Sequence, residues 1–244
     1  MAKSTVAADP ITVDALIVGG GLVGLTLGCA LAGAGLPVAV VDRADPAAVV
    51  AAEFDGRATA IAHGSAQVLR GIGLWAGMAP HACPIDDIRV ADGDSLLFLH
   101  YDHRELTGEP FGFMVENRDI RAAIAARLPA LGRVRYLAPA APAAIERTPT
   151  GVEVRLDDGR RLVARLAIGA DGRGSWLRRQ AGIAVTRWSY GQSGIVCAVD
   201  HERPHDNIAH EHFLPAGPFA ILPLRGNRSS IVWTERDDMA PAMM

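Results

Sequence analysis

The stretch ALIVGGGLVGLTLGCALAGAGLPVAVVDR, residues 15–43, decides the fold. It carries no charged residue until Asp42, and on length alone it would suffice to cross a bilayer. Its glycines and Pro37 argue otherwise, because they divide it into strand, turn, helix and strand. Residues 15–18 are apolar and partly β-branched, as in a buried parallel strand. Gly19, Gly21 and Gly24 then match G-x-G-x-x-G. Residues 22–34 read as a helix of small residues, with Gly35 as its C-cap and Pro37 just beyond. Residues 38–41 make a second strand that ends at Asp42.

Each part has a physical task in binding a dinucleotide. Gly19 makes the tight turn, Gly21 lets a pyrophosphate approach the backbone, and Gly24 lets the helix pack on the sheet. The helix N-terminus offers free N–H groups and a partial positive charge. Asp42 stands near the expected spacing for an acid that accepts hydrogen bonds from a ribose. Its charge repels a 2′-phosphate, which favours FAD or NAD over NADP. A glycine-rich core helix would not explain three glycines in register with Asp42.

The chain has 244 residues, half of them hydrophobic, enough for one large domain or two small ones. The net charge is −3 and no basic run exceeds two residues, which argues against a nucleic-acid partner. Cys29, Cys83 and Cys197 are odd in number and far apart. They argue against a disulfide framework or a zinc knuckle and fit a reducing, cytoplasmic setting. The N-terminal MAKSTVAADPITVD is too polar for a signal peptide.

Further along, residues 64–71 read as a short helix closed by Leu74 and Trp75. Asp92-Gly93-Asp94 stands between apolar runs at 88–91 and 96–99, and Asp157-Asp158-Gly159 between runs at 152–156 and 161–166. Both patterns predict hairpins. FGFMVENRDIRAAIAARL reads as a strand, a cap at Asn117 and an amphipathic helix over 118–128. Residues 166–170 form an apolar strand that runs into Asp171-Gly172-Arg173-Gly174-Ser175 and a helix to Ala181. This second strand–glycine turn–helix junction could sit beside the first. Strands at 194–199, 209–214, 220–224 and 229–234 predict an antiparallel sheet, and DDMAPAMM a tail.

The fold class is therefore α/β. A Rossmann-like nucleotide-binding domain with a parallel sheet is expected over residues 1–180, carrying hairpin insertions around 86–115. A mostly antiparallel β layer, residues 181–244, follows as the start of a substrate-binding sheet. His210 and His212 alternate along one strand, with His201 and His205 nearby, but no further spaced ligand pair supports a metal site. Ser193 does not stand in G-x-S-x-G. Arg178 and Arg179 read as a solvated helix face, and Trp75, Trp176, Trp188 and Trp233 as core or substrate-pocket packing.

A group of motifs goes further: GGGLVG with Asp42, DGRATAIAHGSAQVLRGIGLW, ENRDIRAAI, IGADGRGSWLRR, and FLPAGPFAILPL with SSIVWTE. Together they resemble the FAD-dependent aromatic hydroxylases of the para-hydroxybenzoate hydroxylase type, most of all the ubiquinone-biosynthesis hydroxylases. The resemblance runs over residues 13–235, and its most specific part is Gly-Ala-Asp-Gly-x-x-Ser-x-x-Arg at 169–178. It implies that Gly19, Gly21 and Gly24 carry the FAD pyrophosphate and Asp42 its ribose. It places Arg57 on the flavin side, where reduced nicotinamide arrives, and Arg118 at the FAD phosphate or ribityl region. Asp171 and Gly172 would serve both FAD and NAD(P)H. Each has a plainer reading: Arg57 beside Asp55 on the surface, Arg118 paired with Glu116 or Asp119, Asp171 as a helix cap.

The implied activity is hydroxylation of a prenylated phenol in ubiquinone biosynthesis with NAD(P)H and O2. The cofactor carries the hard chemistry, and no catalytic acid or base is identified. The implied setting is cytoplasmic, with association at the inner-membrane surface and with other ubiquinone-biosynthesis proteins. A flavin-dependent dehydrogenase or reductase, or an inactive fragment serving as a binding subunit, are the alternatives. The family's second flavin motif, Gly-Asp followed by Ala-Ala-His and a glycine-rich helix start, is not found; Gly93-Asp94 lies in a hairpin signal. The expectation is a truncated or split chain that binds FAD weakly or not at all.

Overall fold

The computed structural model describes residues 9–51, 56–106 and 108–244. The first eight residues, and Asp55 at the head of the DGRATAI motif, lie outside the described residues. The chain begins β1 (Ile11–Val18), α1 (Leu22–Gly33), β2 (Val38–Val41), α2 (Pro46–Ala51), β3 (Ala58–Ala62), α3 (His63–Gly71) and α4 (Trp75–Met78). It continues β4 (Cys83–Ile85), β5 (Asp87–Asp92), β6 (Phe98–Asp102), β7 (Gly112–Glu116), α5 (Asn117–Arg127), β8 (Val134–Leu137), β9 (Pro142–Thr148) and β10 (Gly151–Leu156). It ends β11 (Arg161–Gly169), α6 (Trp176–Gln180), β12 (Gln192–Asp200), β13 (Ile208–Leu214), β14 (Gly217–Leu224) and β15 (Arg228–Arg236).

The chain folds as two compact units, neither continuous in sequence. The first takes residues up to 51 and 124–185; the second takes 52–123 and 186–244. The first unit is built on a sheet of order β8-β2-β1-β11-β10-β9. Its β8, β2, β1 and β11 are parallel, and β11, β10 and β9 are antiparallel. β1 and β2 are covered on both faces, which explains their continuous apolar runs. Ile17, Val38 and Val40 pack with Leu25 and Leu31 of α1. Leu16, Val18 and Val41 pack with Leu156, Leu162 and Leu177. Full burial of each large aliphatic side chain contributes about 1.5–3 kcal/mol.

Residues 161–166 and 166–170, expected as two strands, are the single strand β11. Its start pairs antiparallel with β10, while its length pairs parallel with β1. No glycine or proline interrupts RLVARLAI, so nothing breaks the extended backbone.

The second unit contains a sheet of order β12-β15-β14-β13-β5-β6 and a smaller sheet of order β3-β7-β4. The larger sheet is antiparallel except where β13 meets β5. Cys83, Ile85, Met114, Ala209 and Leu224 form one buried core cluster of the unit. Both expected hairpins form, β5–β6 and β10–β11. Residues 86–115, however, are not an insertion in the nucleotide unit: β5 and β6 extend the sheet begun by β12–β15. The cause is the parallel pairing of Ile208 with Asp87, a long-range contact that no local pattern encodes.

Three local readings also change. Asn117 is the first residue of α5, and its Oδ1 accepts the Thr59 hydroxyl at 2.6 Å. Trp188 is 69% exposed and packs edge-on against Tyr190 rather than in a core. The C-terminal stretch forms a turn at Ala240–Ala242 with Ala240 buried. Among the described residues no helix is long and apolar enough to cross a membrane.

Candidate dinucleotide cleft

β1 delivers the glycine turn to the carboxyl end of the parallel sheet, where open α/β sheets bind ligands. Gly19 has φ of 108°, and a Cβ there would lie 2.3 Å from the Ala170 carbonyl oxygen. A Cβ at Gly24 would stand 1.9 Å from the Gly19 carbonyl oxygen, so α1 packs directly on its own leading turn. Gly21 differs: nothing lies within 4 Å of where its Cβ would be. Gly21 is the N-cap of α1, and among the described residues no side chain caps that terminus and no acid stands in its first turn. The leading N–H groups of a helix lack helical partners and carry a partial positive charge.

Asp42 ties this turn to the end of β2. Its Oδ2 accepts the Gly20 N–H at 2.5 Å and its Oδ1 accepts the Ala44 N–H at 2.7 Å. Each carboxylate oxygen accepts more than one bond, so capacity remains for a ligand hydroxyl. Tyr136 of β8 closes the other side, its hydroxyl 2.8 Å from where a Gly20 Cβ would be. Burial, and secondarily the Asp42 carboxylate, push the Tyr136 hydroxyl above its usual value, so it stays protonated.

The second glycine turn lies alongside because the Ala170 N–H donates to the Val18 carbonyl at 2.7 Å. Here the helix terminus is satisfied internally. Asp171 Oδ2 accepts the Trp176 and Leu177 N–H groups at 2.5 and 3.3 Å, and Ser175 Oγ accepts the Arg178 N–H at 3.0 Å. Burial pushes the Asp171 carboxyl up. Hydrogen bonds from Ser175, Leu177 and Trp176 outweigh it and hold the group below the usual carboxylate value. Gly172 turns the chain at φ of 78°. Arg178 and Arg179, expected as a solvated face, donate to the Arg173 and Gly174 carbonyls at 2.8 and 2.5 Å and lace the turn.

Between the two turns lies a cleft of about 740 Å³, in the size range of ligand pockets. It brings together Gly19, Gly21, Asp42, Asp171 and Gly172, with Gly24 directly behind. It also gathers Arg43, Arg173 and Arg179, which the sequence reading missed. Their signal was adjacency: Arg43 follows Asp42, and Arg173 sits inside the second glycine turn. An open Gly21, an uncapped helix terminus and a carboxylate at the end of β2 fit a dinucleotide.

Arg57 and Arg118 belong to the other unit. Arg57 is exposed, and its carbonyl accepts the Asn117 N–H at 3.1 Å. Arg118 pairs with the buried Glu116 at 2.7 Å, and Arg228 holds the same carboxylate at 2.7 Å. His201 and His205 meet edge-on at 5.8 Å and bond to Ser229 Oγ and the Leu224 carbonyl.

The sequence matches the FAD binding domain family over residues 12–240, and the chain belongs to that family. It is 53% identical over 240 residues to ubiquinone hydroxylase UbiL of Rhodospirillum rubrum, covering 98% of this chain and 56% of that protein. It is 36% identical to 3-demethoxyubiquinol 3-hydroxylase of Escherichia coli, covering 89% of this chain and 56% of that protein. The chain thus spans about half the length of these curated relatives. The crystal structure of PqsL from Pseudomonas aeruginosa superposes with a TM-score of 0.81 at 22% identity, covering 96% of this chain and 63% of that one. That likeness is one of fold: a mixed α/β architecture with parallel and antiparallel sheets.

Proposed function

We propose that the chain binds FAD in this cleft and serves the FAD-dependent hydroxylation of a prenylated phenol in ubiquinone biosynthesis, with NAD(P)H and O2. The observation that carries the reading is the uncapped start of α1, opened by Gly21 and flanked by Asp42. The relatives' names support the substrate class. When bound, FAD supplies hydride acceptance from a nicotinamide and activation of O2.

The chain's own residues bind and orient. The first N–H groups of α1 hold the pyrophosphate. Asp42 accepts from the ribose hydroxyls while keeping the turn attached to β2. Gly19 and Gly24 hold the turn tight, and Asp171 and Gly172 shape the opposite wall. Arg43, Arg173 and Arg179 add positive charge facing the phosphates. Arg57 and Arg118 take the flavin-side and phosphate roles implied by the family resemblance, each tested by its own substitution. A prenylated substrate gives a cytoplasmic protein reason to work at the inner-membrane surface beside other ubiquinone-biosynthesis proteins.

The test is turnover. The chain is loaded with FAD and given NADH or NADPH, O2 and a prenylated phenol. One NAD(P)H and one O2 should be consumed for each product heavier by one oxygen atom, with water as the other product. Oxidation of NAD(P)H with no oxygen in the product would favour a dehydrogenase or reductase. A folded chain that retains no flavin would favour a binding subunit.

A further inference from the structure

The larger sheet of the second unit ends on β6, and among the described residues no strand pairs with the outer edge of β6. Residues 95–101, SLLFLHY, hold no Asp, Glu, Lys, Arg or Pro. Charges and prolines are the usual protection of an open edge, whose row of N–H and C=O groups is a template for another strand. Leu97, just before β6, and Leu99 and Tyr101 within it fall on one face by alternation. They are 83%, 62% and 49% exposed. Leu96 and Leu106, beyond the two ends of β6, are exposed as well. The edge is therefore both unpaired and apolar, which marks an interaction surface.

The ladder with β5 shows which backbone groups are open. Asp87 pairs with Asp102 and Ala91 with Phe98. One step further along this register, the His103 N–H donates to the Asp86 carbonyl at 3.1 Å. Bonded pairs alternate in an antiparallel ladder, so Leu99, Tyr101 and His103 bond inward to β5. Phe98, His100 and Asp102 therefore turn their N–H and C=O groups outward. A second β6 lying antiparallel on a two-fold axis meets those groups only when the axis falls on a residue, not between two. An axis at Leu99 sets Leu99 opposite Leu99, Leu97 opposite Tyr101, Phe98 opposite His100 and Asp94 opposite Arg104. An axis at Phe98 sets Asp94 opposite Asp102, and an axis at His100 sets Asp102 opposite Phe98. Apolar and opposite-charge pairs stabilise a sheet and like charges directly opposite destabilise it, which selects Leu99.

We propose that β6 is the docking edge for a second copy of this chain, the two β6 strands pairing antiparallel about Leu99 into one continuous sheet. Because both copies use the same edge, the interface is isologous and closed, and association stops at two. The surroundings favour a protein over a lipid surface. Asp92, Asp94, Asp102 and Glu105 flank the apolar run and repel an anionic bilayer. The edge shares no residue with the dinucleotide cleft, so this inference and the proposed function fail independently.

Sedimentation velocity of the chain tests this. The wild type should pass from monomer to dimer as concentration rises, with no larger species. Leu99→Asp sets two carboxylates opposite each other on the axis. It should raise the concentration needed for dimers by at least about tenfold, in a chain whose circular dichroism spectrum shows it folded. Leu99 would form a non-hydrogen-bonded pair with itself, where side chains come closest. Leu99→Cys should therefore give a disulfide-linked dimer under copper–phenanthroline and air, in a Cys197→Ser background that removes the exposed thiol. Leu97→Cys in that background faces Tyr101 instead and should link at least about tenfold more slowly. A monomer at every concentration, open-ended oligomers, or undiminished dimers of a folded Leu99→Asp chain would each overturn the proposal. So would Leu97→Cys linking as fast as Leu99→Cys, or flotation with anionic vesicles in place of dimerisation. The cysteine comparison adds no charge and decides the matter even if Leu99→Asp fails to fold.

Discussion

The first unit holds two strand–glycine turn–helix junctions side by side, on the neighbouring strands β1 and β11, and they treat their helix termini in opposite ways. At α6 the terminus is closed: Asp171 and Ser175 accept its leading N–H groups. At α1 the terminus is open: among the described residues no side chain caps it, and the nearest acid, Asp42, comes from the end of another strand. Helix length matches the difference, since α1 has 12 residues and α6 only five. A longer helix keeps its geometry through packing, so its terminus can be left for a ligand. The short helix needs its caps to exist. Similar turns therefore differ: one is left open and the other is braced by its own side chains.

Substitutions can break or sharpen this contrast. The largest effect is expected from Gly24→Val, which drives a Cβ into the Gly19 carbonyl. Urea unfolding should show a loss of ~3 kcal/mol, near the upper end for overpacking, together with loss of FAD binding. Asp42→Ala leaves the Gly20 and Ala44 N–H groups without their acceptor. It should cost about 1–3 kcal/mol and weaken FAD binding by at least about tenfold, read by flavin fluorescence titration. Asp171→Asn removes the negative charge at the N-terminus of α6 and should cost up to about 1 kcal/mol of stability near neutral pH.

That last cost depends on pH. The folded carboxyl of Asp171 sits below its ordinary value. Its contribution is complete above the unfolded value of about 3.9 and is lost as pH falls through the lower folded value. Melts of wild type and Asp171→Asn should therefore converge in acid. Gly21→Ala should change stability least, by about 0.5–1 kcal/mol for the poorer N-cap, because its Cβ meets open space and adds no clash. It should nonetheless weaken FAD binding, since in the proposed function that space is where the pyrophosphate approaches.

Much of the first unit was legible in the sequence because its signals are local. The strand–turn–helix–strand order of residues 15–42 sits in consecutive residues, and the β10–β11 hairpin carried its turn at Asp157-Asp158-Gly159, as the β5–β6 hairpin of the second unit did at Asp92-Gly93-Asp94. The pairing of β5 with β13 was not legible, because a parallel contact between distant segments leaves no mark on the periodicity of either. The same reason hid the discontinuous units and the short strands β8 and β9. In the site, residue types were legible and their bonds were not. Asp42 was read as a ribose acceptor, yet its first partner is the Gly20 N–H. Asp171 was read as a cofactor residue with helix capping as the alternative, and the structure shows the cap. Tyr136 gave no signal, since its place depends on β8 lying beside β2.

The most direct measurement is the visible absorption spectrum of the chain and of Gly21→Val, each incubated with FAD and freed of unbound cofactor. The account predicts a retained flavin spectrum for the wild type and a colourless Gly21→Val chain whose circular dichroism spectrum shows it folded. A colourless, folded wild-type chain, or a Gly21→Val chain as yellow as the wild type, would contradict the claim that the open terminus of α1 holds the cofactor.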